Sequence, residues 1–157
     1  MKRLLYLLTL IGLILVGCET DLDDGPDFSE AVGESLVMTL NRAYTTEGGQ
    51  FGEAPSGQTY LVLELTITNN DERSRSITSL LMFELLGDVG GTYTYDAFIL
   101  SETDLQGIDR TLSPGESHTG YLPFIVDMDD SMWELSFTPD IYTGPSFTVT
   151  FDEADLE

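Results

Sequence analysis

The sequence has very few cysteines, histidines and basic residues. Its single cysteine excludes an intramolecular disulfide, so the fold must be stabilised by packing. Its single histidine excludes metal sites built from several imidazoles. From Cys18 onward the chain has four arginines, no lysine and 28 acidic residues, which gives a formal charge of 4 − 28 = −24. Such a surface repels phosphates, and we therefore expect no nucleic-acid partner.

A short apolar run precedes the only cysteine. Lys2 and Arg3 come first, and residues 4–16 are apolar apart from Thr9 and Gly12. A helix that spans a bilayer needs about 20 apolar residues. The run is shorter than that, and its positive flank is typical of an export signal. Residues 1–17 are therefore predicted to be a signal peptide.

The end of this run, Leu15-Val16-Gly17-Cys18, resembles the bacterial lipobox position by position. The resemblance implies cleavage before Cys18 and attachment of lipid, such as palmitate, to its sulfur. Multiple acyl chains hold a protein stably to a membrane. We therefore predict an extracytoplasmic lipoprotein, anchored at the cell surface or on the periplasmic face. The alternatives are a plain secretory signal with a chance cysteine, or a short uncleaved anchor.

Residues 18–34 are acidic and have no hydrophobic period, and Gly25-Pro26 interrupts any regular element. Their aspartates suggest a calcium loop. However, the glycine comes one place too early for an EF-hand, and no glutamate follows at the twelfth position. A flexible, self-repelling tether is the favoured interpretation.

Residues 35–151 have the pattern of a β-sandwich domain, and residues 152–157 are predicted to be an acidic tail. Period-two alternation is clearest over residues 59–68, where Leu61, Leu63, Leu65 and Ile67 share one face. Pro123 predicts an edge strand or a bulge. Residues 97–110 are predicted to be a loop with one helical turn. Further strands are predicted over residues 35–44, 79–86, 92–96, 117–127, 133–138 and 147–151. About seven short strands without an amphipathic helix predict an all-β, antiparallel sandwich.

The sequence also resembles a known family. Residues 60–69, YLVLELTITN, are similar to a characteristic strand of the DUF4352 proteins. Four more features follow in family order: Phe83-Glu84-Leu85 with Gly91 and Tyr93, Leu112-Ser113-Pro114-Gly115, Gly120-Tyr121-Leu122-Pro123-Phe124, and Trp133-Glu134-Leu135. The resemblance covers about residues 35–151. It implies an immunoglobulin-like sandwich, similar to the mycobacterial antigen MPT63, in a secreted or lipid-anchored protein. It supplies no catalytic or ligand-binding residues.

Catalytic patterns are weak. His118 could nominally form a triad with Ser113 or Ser117, but the sequence has no G-x-S-x-G nucleophile elbow. A lone histidine at the start of a strand is usually solvated. We therefore predict that the protein is not an enzyme and has no cofactor other than calcium. Asp127, Asp129 and Asp130 are the candidate calcium ligands because oxygen donors on a loop suit that ion. The alternative is a solvated acidic loop. Trp133, which follows this loop, is predicted to lie in the core and not to be an exposed binding aromatic.

These observations predict a non-catalytic binding or interaction module at the cell envelope, whose partner is the membrane together with an envelope protein or ligand. The alternatives are a structural accessory subunit of an envelope complex and a weak calcium-binding surface domain. The acidity has two further explanations: adaptation to high salt, or recognition of a cationic partner.

Overall fold

Strands dominate the computed structural model, which describes residues 30–32, 35–48, 52–142 and 144–157. The signal peptide, Cys18 and the tether before Glu30 lie outside the described residues. The described strands are β1 (Glu30–Val32), β2 (Leu36–Thr46), β3 (Gln58–Asn69), β4 (Arg75–Ile77), β5 (Phe83–Gly87), β6 (Gly91–Tyr93), β7 (Arg110–Leu112), β8 (Ser117–Asp127), β9 (Met132–Phe137) and β10 (Phe147–Asp152). The helices are α1 (Ser79–Met82), α2 (Phe98–Glu102) and a 3-10 helix, Glu153–Asp155. None of these helices has the length and apolar character required to cross a membrane.

Two antiparallel four-stranded sheets form the sandwich. One has the order β1-β2-β3-β8 and the other β10-β9-β5-β6, while β4 and β7 form a separate two-stranded ribbon. The prediction of an all-β antiparallel sandwich is confirmed. The described residues contain more strands than the seven predicted because β1, β4 and β7 have three residues each. A strand of three residues is too short to show a period-two pattern.

The core lies between the two sheets. The alternating leucines of β3 face inward, as their period predicts, and pack against side chains of β5, β9 and β10. Two ring pairs reinforce the second sheet: Phe83 stacks on Phe137 at 5.0 Å, and Trp133 stacks on Phe151 at 5.7 Å. Trp133 is 3% exposed, so its predicted position in the core is confirmed.

The single strand predicted over residues 79–86 is wrong in its first half, because α1 occupies that half and β5 starts only at Phe83. The Asp109 carboxylate accepts hydrogen bonds from the backbone N–H of Ser79 at 2.6 Å and from its hydroxyl at 2.8 Å. Thr78 carbonyl oxygen then accepts from the N–H of Met82 at 3.0 Å. Asp109 is 30 residues away, so the local sequence does not contain this signal.

Strand β8 and the turn before it agree with the prediction. β8 pairs with β3 and is the last strand of its sheet, with only isolated bridges, at Tyr121 and Phe124, on its other side, so it is the edge strand that Pro123 requires. In the turn, the N–H of Glu116 donates to Ser113 carbonyl oxygen at 3.0 Å. Gly115 has φ +74°, the left-handed conformation that favours glycine at this position after a proline.

Both segments that flank the predicted domain contribute to the fold. β1 lies inside the predicted tether and pairs with β2, with Glu30 opposite Thr39. At the other end of the chain, Leu156 packs against the core and bridges to Ala43. Glu157 lies 2.6 Å from the Arg42 guanidinium. The acidic ending is therefore attached along β2.

Candidate binding cleft

One end of the sandwich, here called the cleft end, consists of residues 45–48, 52–59, 87–91, 127–133 and 152–157. Here β8 passes directly to β9 through a short connection, so loops from both sheets meet. Between them lies a cleft of about 610 Å³, a size typical of small-ligand sites. The cleft is lined by Thr45, Thr46, Glu47, Thr59, Asp127, Met128, Asp130, Trp133, Glu153 and Leu156.

Asp130 locks two loops of the cleft end together. Asp130 is 2% exposed, and its carboxylate accepts hydrogen bonds from the N–H of Val89 at 2.7 Å and of Gly90 at 2.8 Å. The Tyr93 hydroxyl donates to its other oxygen, and the same hydroxyl accepts from the N–H of Asp127 at 3.1 Å. Burial, followed by the hydrogen bond to Asp130, raises the pKa of Tyr93 well above its usual value. The cleft wall is thus built on a buried, charge-assisted network.

Gly90 is required by this network because of space. A Cβ atom at that position would collide with the Tyr93 hydroxyl and would come within 2.6 Å of an Asp127 carboxylate oxygen. Only glycine allows the loop backbone to approach the buried tyrosine so closely.

A second carboxylate holds the outer side of the same loops. Asp88 accepts from the N–H of Ser131 at 2.9 Å, from the Ser131 hydroxyl at 3.0 Å and from the N–H of Met132 at 3.3 Å. The hydrogen bond from the Ser131 backbone is the main cause that lowers the pKa of Asp88 below its ordinary value. Two aspartates therefore pre-organise the cleft end from inside and outside.

The three predicted calcium ligands have separate surroundings. Asp130 faces inward to its three donors, Asp127 accepts from Gln58 Nε2 at 2.9 Å, and Asp129 is exposed. Across the part of the chain that the structure describes, no group of three or more His, Cys, Asp or Glu side chains is arranged to hold a metal ion. In the structure, Asp130 joins the loop of residues 87–91 to the loop of residues 127–133, and this arrangement is called the loop clamp below. The geometry gives no support to the calcium hypothesis.

The nominal triad residues also have other partners. His118 Nε2 lies 3.2 Å from Gly107 carbonyl oxygen. The Ser117 hydroxyl pairs with the Thr68 hydroxyl at 2.8 Å, and the N–H of Ser113 donates to the Glu116 carboxylate at 2.9 Å. Neither serine is hydrogen-bonded to His118.

Trp133 is the functional candidate that sequence reasoning placed only in the core. It borders the cleft, and its buried indole Nε1–H has no hydrogen-bond acceptor among the described residues. A buried donor without an acceptor costs about 1–3 kcal/mol. The only sequence signal was the residue type, because the cleft is formed by loops that are distant along the chain.

The charge of the molecule is unevenly distributed. The cleft is lined by four carboxylates, from Glu47, Asp127, Asp130 and Glu153, and by no arginine. Of the four arginines after Cys18, three lie at the opposite end of the sandwich, where each is close to Asp71 or Glu116. The fourth, Arg42, is paired with Glu157. The negative charge that lines the cleft therefore has no cationic side chain in the lining to balance it.

Exposed apolar side chains occur in the loops of the cleft end, and one of them, Met128, also lines the cleft. Val89 and Met128 are 67% and 63% exposed, and Met132 is 47% exposed. Large apolar side chains with this exposure, grouped at one end of a domain and rimmed by polar residues, are typical of interaction surfaces.

A second cleft, of about 350 Å³, lies beside α1 and β6 and is lined mainly by leucine, serine, threonine and tyrosine side chains. The only buried side-chain N–H groups without a hydrogen-bond acceptor in the described residues belong to Arg42, which is ion-paired, and to Trp133. The cleft bordered by Trp133 is nevertheless the stronger candidate, because it is larger, about 610 Å³, and because Asp130 and Asp88 hold its loops in place.

The fold and the rigid loop end define an antiparallel β-sandwich protein with a candidate ligand site at one end. Its sequence matches the family model described as "Domain of unknown function (DUF4352)" over residues 30–147. The chain therefore belongs to the DUF4352 family, as its sequence motifs indicated. The match begins at the first residue of β1. No curated protein matches the chain significantly.

Solved structures from several bacteria have the same fold. A candidate lipoprotein, ycdA from Bacillus subtilis, is 18% identical with a TM-score of 0.66; 82% of this chain aligns with 39% of that chain. A functionally unknown protein from Listeria monocytogenes is 15% identical with a TM-score of 0.59, covering 82% of this chain and 84% of that one. A β-sandwich protein from Clostridium difficile is 15% identical with a TM-score of 0.50, covering 79% and 90%. This chain therefore spans less than half of ycdA.

Proposed function

We propose that the protein is a lipid-anchored, non-catalytic binding module of the cell envelope, with the cleft at its cleft end as the ligand site. The lipobox at Cys18 and the similarity to ycdA support the anchor and the location. The observation that carries the binding role is the cleft of about 610 Å³ itself, whose loops are held in place by Asp130 and Asp88 and whose lining has four carboxylates and no arginine. A rigid site loses little conformational freedom when it binds.

Two observations favour binding over catalysis. Asp130, the one buried carboxylate of the cleft, is used by the two loop N–H groups and the Tyr93 hydroxyl, which leaves it poorly suited to proton transfer. The only histidine, His118 on β8, lies next to the Gly107 carbonyl and does not line the cleft. A general acid or base needs reach to a bound substrate as well as a suitable pKa.

The anchor is tested by Cys18→Ser in the native host, followed by separation of membrane and soluble fractions. We expect most of the wild-type protein in the membrane fraction and most of the variant outside it. Asp24→Asn, which alters the tether and leaves the lipobox intact, is the control and should fractionate like the wild type. If Cys18→Ser stayed in the membrane fraction like the wild type, the proposal of a lipid anchor at Cys18 would be wrong.

The binding role is tested by photo-crosslinking in intact cells, with benzoylphenylalanine in place of Met128 at the rim of the cleft. The control has the same substitution at Tyr142, which is 89% exposed at the opposite end. We expect a discrete adduct from the Met128 position and none from Tyr142. Equal adducts, or none from the Met128 position, would contradict a binding site at the cleft end. An adduct with one protein in stoichiometric amounts would instead favour the accessory-subunit alternative.

A further inference from the structure

We infer that the end of the sandwich opposite the cleft rests on the lipid bilayer, with apolar side chains of one surface inserted among the lipid headgroups. This surface, here called the α1 face, consists of Leu80, Leu81, Met82, Ile141 and Tyr142. The inference rests on the proposed lipid anchor and specifies how the anchored domain is oriented. In this orientation the cleft is directed away from the membrane.

The α1 face exposes four large side chains. Leu80 and Leu81 are 70% and 61% exposed on α1, and Ile141 and Tyr142 are 40% and 89% exposed in the loop after β9. Aliphatic side chains that enter the boundary between headgroups and acyl chains bind a protein to a membrane surface through the apolar area that they bury. Tyrosine is enriched at the same depth, because its ring is apolar and its hydroxyl is polar.

These side chains belong to one surface because α1 and the loop after β9 are joined. The N–H of Thr138, at the start of that loop, donates to the Met82 carbonyl oxygen at 2.8 Å. The Met82 side chain is part-buried and packs against the core. It lines the second cleft together with the two leucines, and it also lines a depression bordered by Ile141 and Tyr142. The apolar side chains therefore flank a common residue.

Charge distinguishes this end from the cleft end, which also exposes apolar side chains. A headgroup phosphate meets four carboxylates and no arginine in the cleft lining, whereas three of the four arginines after Cys18 lie at the end with the α1 face. Arg75 borders the α1 face directly, since it lines the same depression as Tyr142. The Arg73 side chain is 83% exposed and lies 3.8 Å from Asp71, a distance at which its N–H groups remain available for a phosphate. The arginine end is therefore the better match for a phospholipid surface.

The attachment point of the anchor favours the same end. Glu30 of β1 lies opposite Thr39 of β2, three residues from the start of β2 at Leu36 and seven residues from its end at Thr46 in the cleft end. With a rise of about 3.4 Å per residue, Glu30 is about 10 Å from the arginine end of this sheet and about 24 Å from the cleft end. Twelve residues lead from Cys18 to Glu30, and they span at most about 40 Å. A lipid on Cys18 therefore reaches a bilayer beneath the α1 face without full extension of the chain.

The test uses the full-length lipoprotein in phosphatidylcholine vesicles, with a nitrobenzoxadiazole label on one introduced cysteine. Cys18 is the only native cysteine and is occupied by lipid in the anchored protein, so only the introduced thiol reacts. Tyr142→Cys places the label on the α1 face, and Met128→Cys places it on an exposed position of the cleft end. A nitroxide near the top of a lipid acyl chain quenches a label that enters the bilayer interface. We expect at least threefold stronger quenching at position 142 than at position 128, and a blue shift of emission at position 142 alone.

Two variants of the protein labelled at position 142 identify the side chains responsible. Leu80→Gln combined with Leu81→Gln removes two exposed apolar side chains and should reduce quenching at least twofold. Val89→Gln, which alters an equally exposed apolar side chain at the cleft end, should leave quenching unchanged. The emission of Trp133, the only tryptophan, verifies that each variant is folded. The comparison of the two label positions stays informative if the double variant does not fold.

The inference is overturned if both labels are quenched alike, if the label at position 142 is not quenched, or if the double variant is quenched like the wild type. A blue shift at position 142 without quenching by the nitroxide also overturns it, because protein, such as a second copy of the chain, would then cover the α1 face. A photo-crosslink from position 142 to lipid adds far less mass than a protein, so this position remains a valid control for protein adducts.

Failure of the docking differs from failure of the proposed function. If fractionation of Cys18→Ser supports the anchor while the label at position 142 is not quenched, the anchor stands and the docking is rejected. If that fractionation contradicts the anchor, both are rejected. The binding role of the cleft is decided separately, by the crosslink from the Met128 position.

Discussion

Replacing Asp130 with asparagine should destabilise the protein strongly, although the change removes only one charge and hardly alters the shape. The carboxylate accepts from the N–H groups of Val89 and Gly90 through one oxygen and from the Tyr93 hydroxyl through the other. Asparagine keeps one acceptor oxygen and places an NH₂ group where the second oxygen was. Either the tyrosine hydroxyl or the two loop N–H groups must then face a donor.

The magnitude follows from the number of bonds affected. A hydrogen bond to a charged group contributes about 1.5–3 kcal/mol, and an unsatisfied buried donor costs about 1–3 kcal/mol. One bond lost and two weakened give an expected loss of roughly 2–4 kcal/mol in the free energy of unfolding. With a urea slope of about 2 kcal/mol per molar, the unfolding midpoint should fall by roughly 1–2 M.

The assay is urea unfolding followed by the emission of Trp133, with circular dichroism as a second probe. The matched control is Asp129→Asn, one residue earlier on the exposed surface, which should change stability by less than about 0.5 kcal/mol. A similarly small effect of Asp130→Asn would refute the loop clamp. If calcium raised the wild-type midpoint and Asp130→Asn abolished that rise, Asp130 would be a calcium ligand instead.

Two further predictions concern the loops. Gly115→Ala should cost about 1–2 kcal/mol, measured by urea unfolding, because its φ of +74° is strained for alanine; a neutral effect would contradict the turn geometry. The hydrogen bond from the Ser131 backbone lowers the folded pKa of Asp88 below its ordinary value of 3.8, so the contribution of Asp88 to stability is present above that pH and is lost as the pH falls through the folded pKa. Asp88→Asn should therefore flatten the fall in midpoint below about pH 4, and an unchanged acid limb would contradict the role of the Ser131 hydrogen bonds.

The sequence predicted the central strands well because their information is local. In β3, alternate leucines define the buried face within one stretch, and Pro123 marks β8 as an edge without reference to its partner. The α1 turn was missed because it depends on hydrogen bonds that Ser79 donates to Asp109, which the periodicity of residues 79–86 does not reveal.

The candidate site was predictable only in part. Asp127, Asp129 and Asp130 were identified as a group, but adjacent positions in a loop do not reveal which carboxylate is buried. The burial of Asp130 depends on its contact with Tyr93, which is 37 residues earlier in the sequence. Trp133 was correctly assigned to the core. The sequence could not show that Trp133 also borders the cleft, because the cleft forms only where separate loops meet Glu153 and Leu156.

Hydrogen–deuterium exchange of the full-length protein, in membranes of the native host where its partner is present and in phosphatidylcholine vesicles as the unbound reference, tests the central claim most directly. Binding at the cleft end predicts slower exchange in residues 45–48, 127–133 and 153–157, with no change in residues 70–77 and 113–117 at the opposite end. Protection spread over the acidic surface, or confined to the opposite end, would contradict a binding site in the cleft.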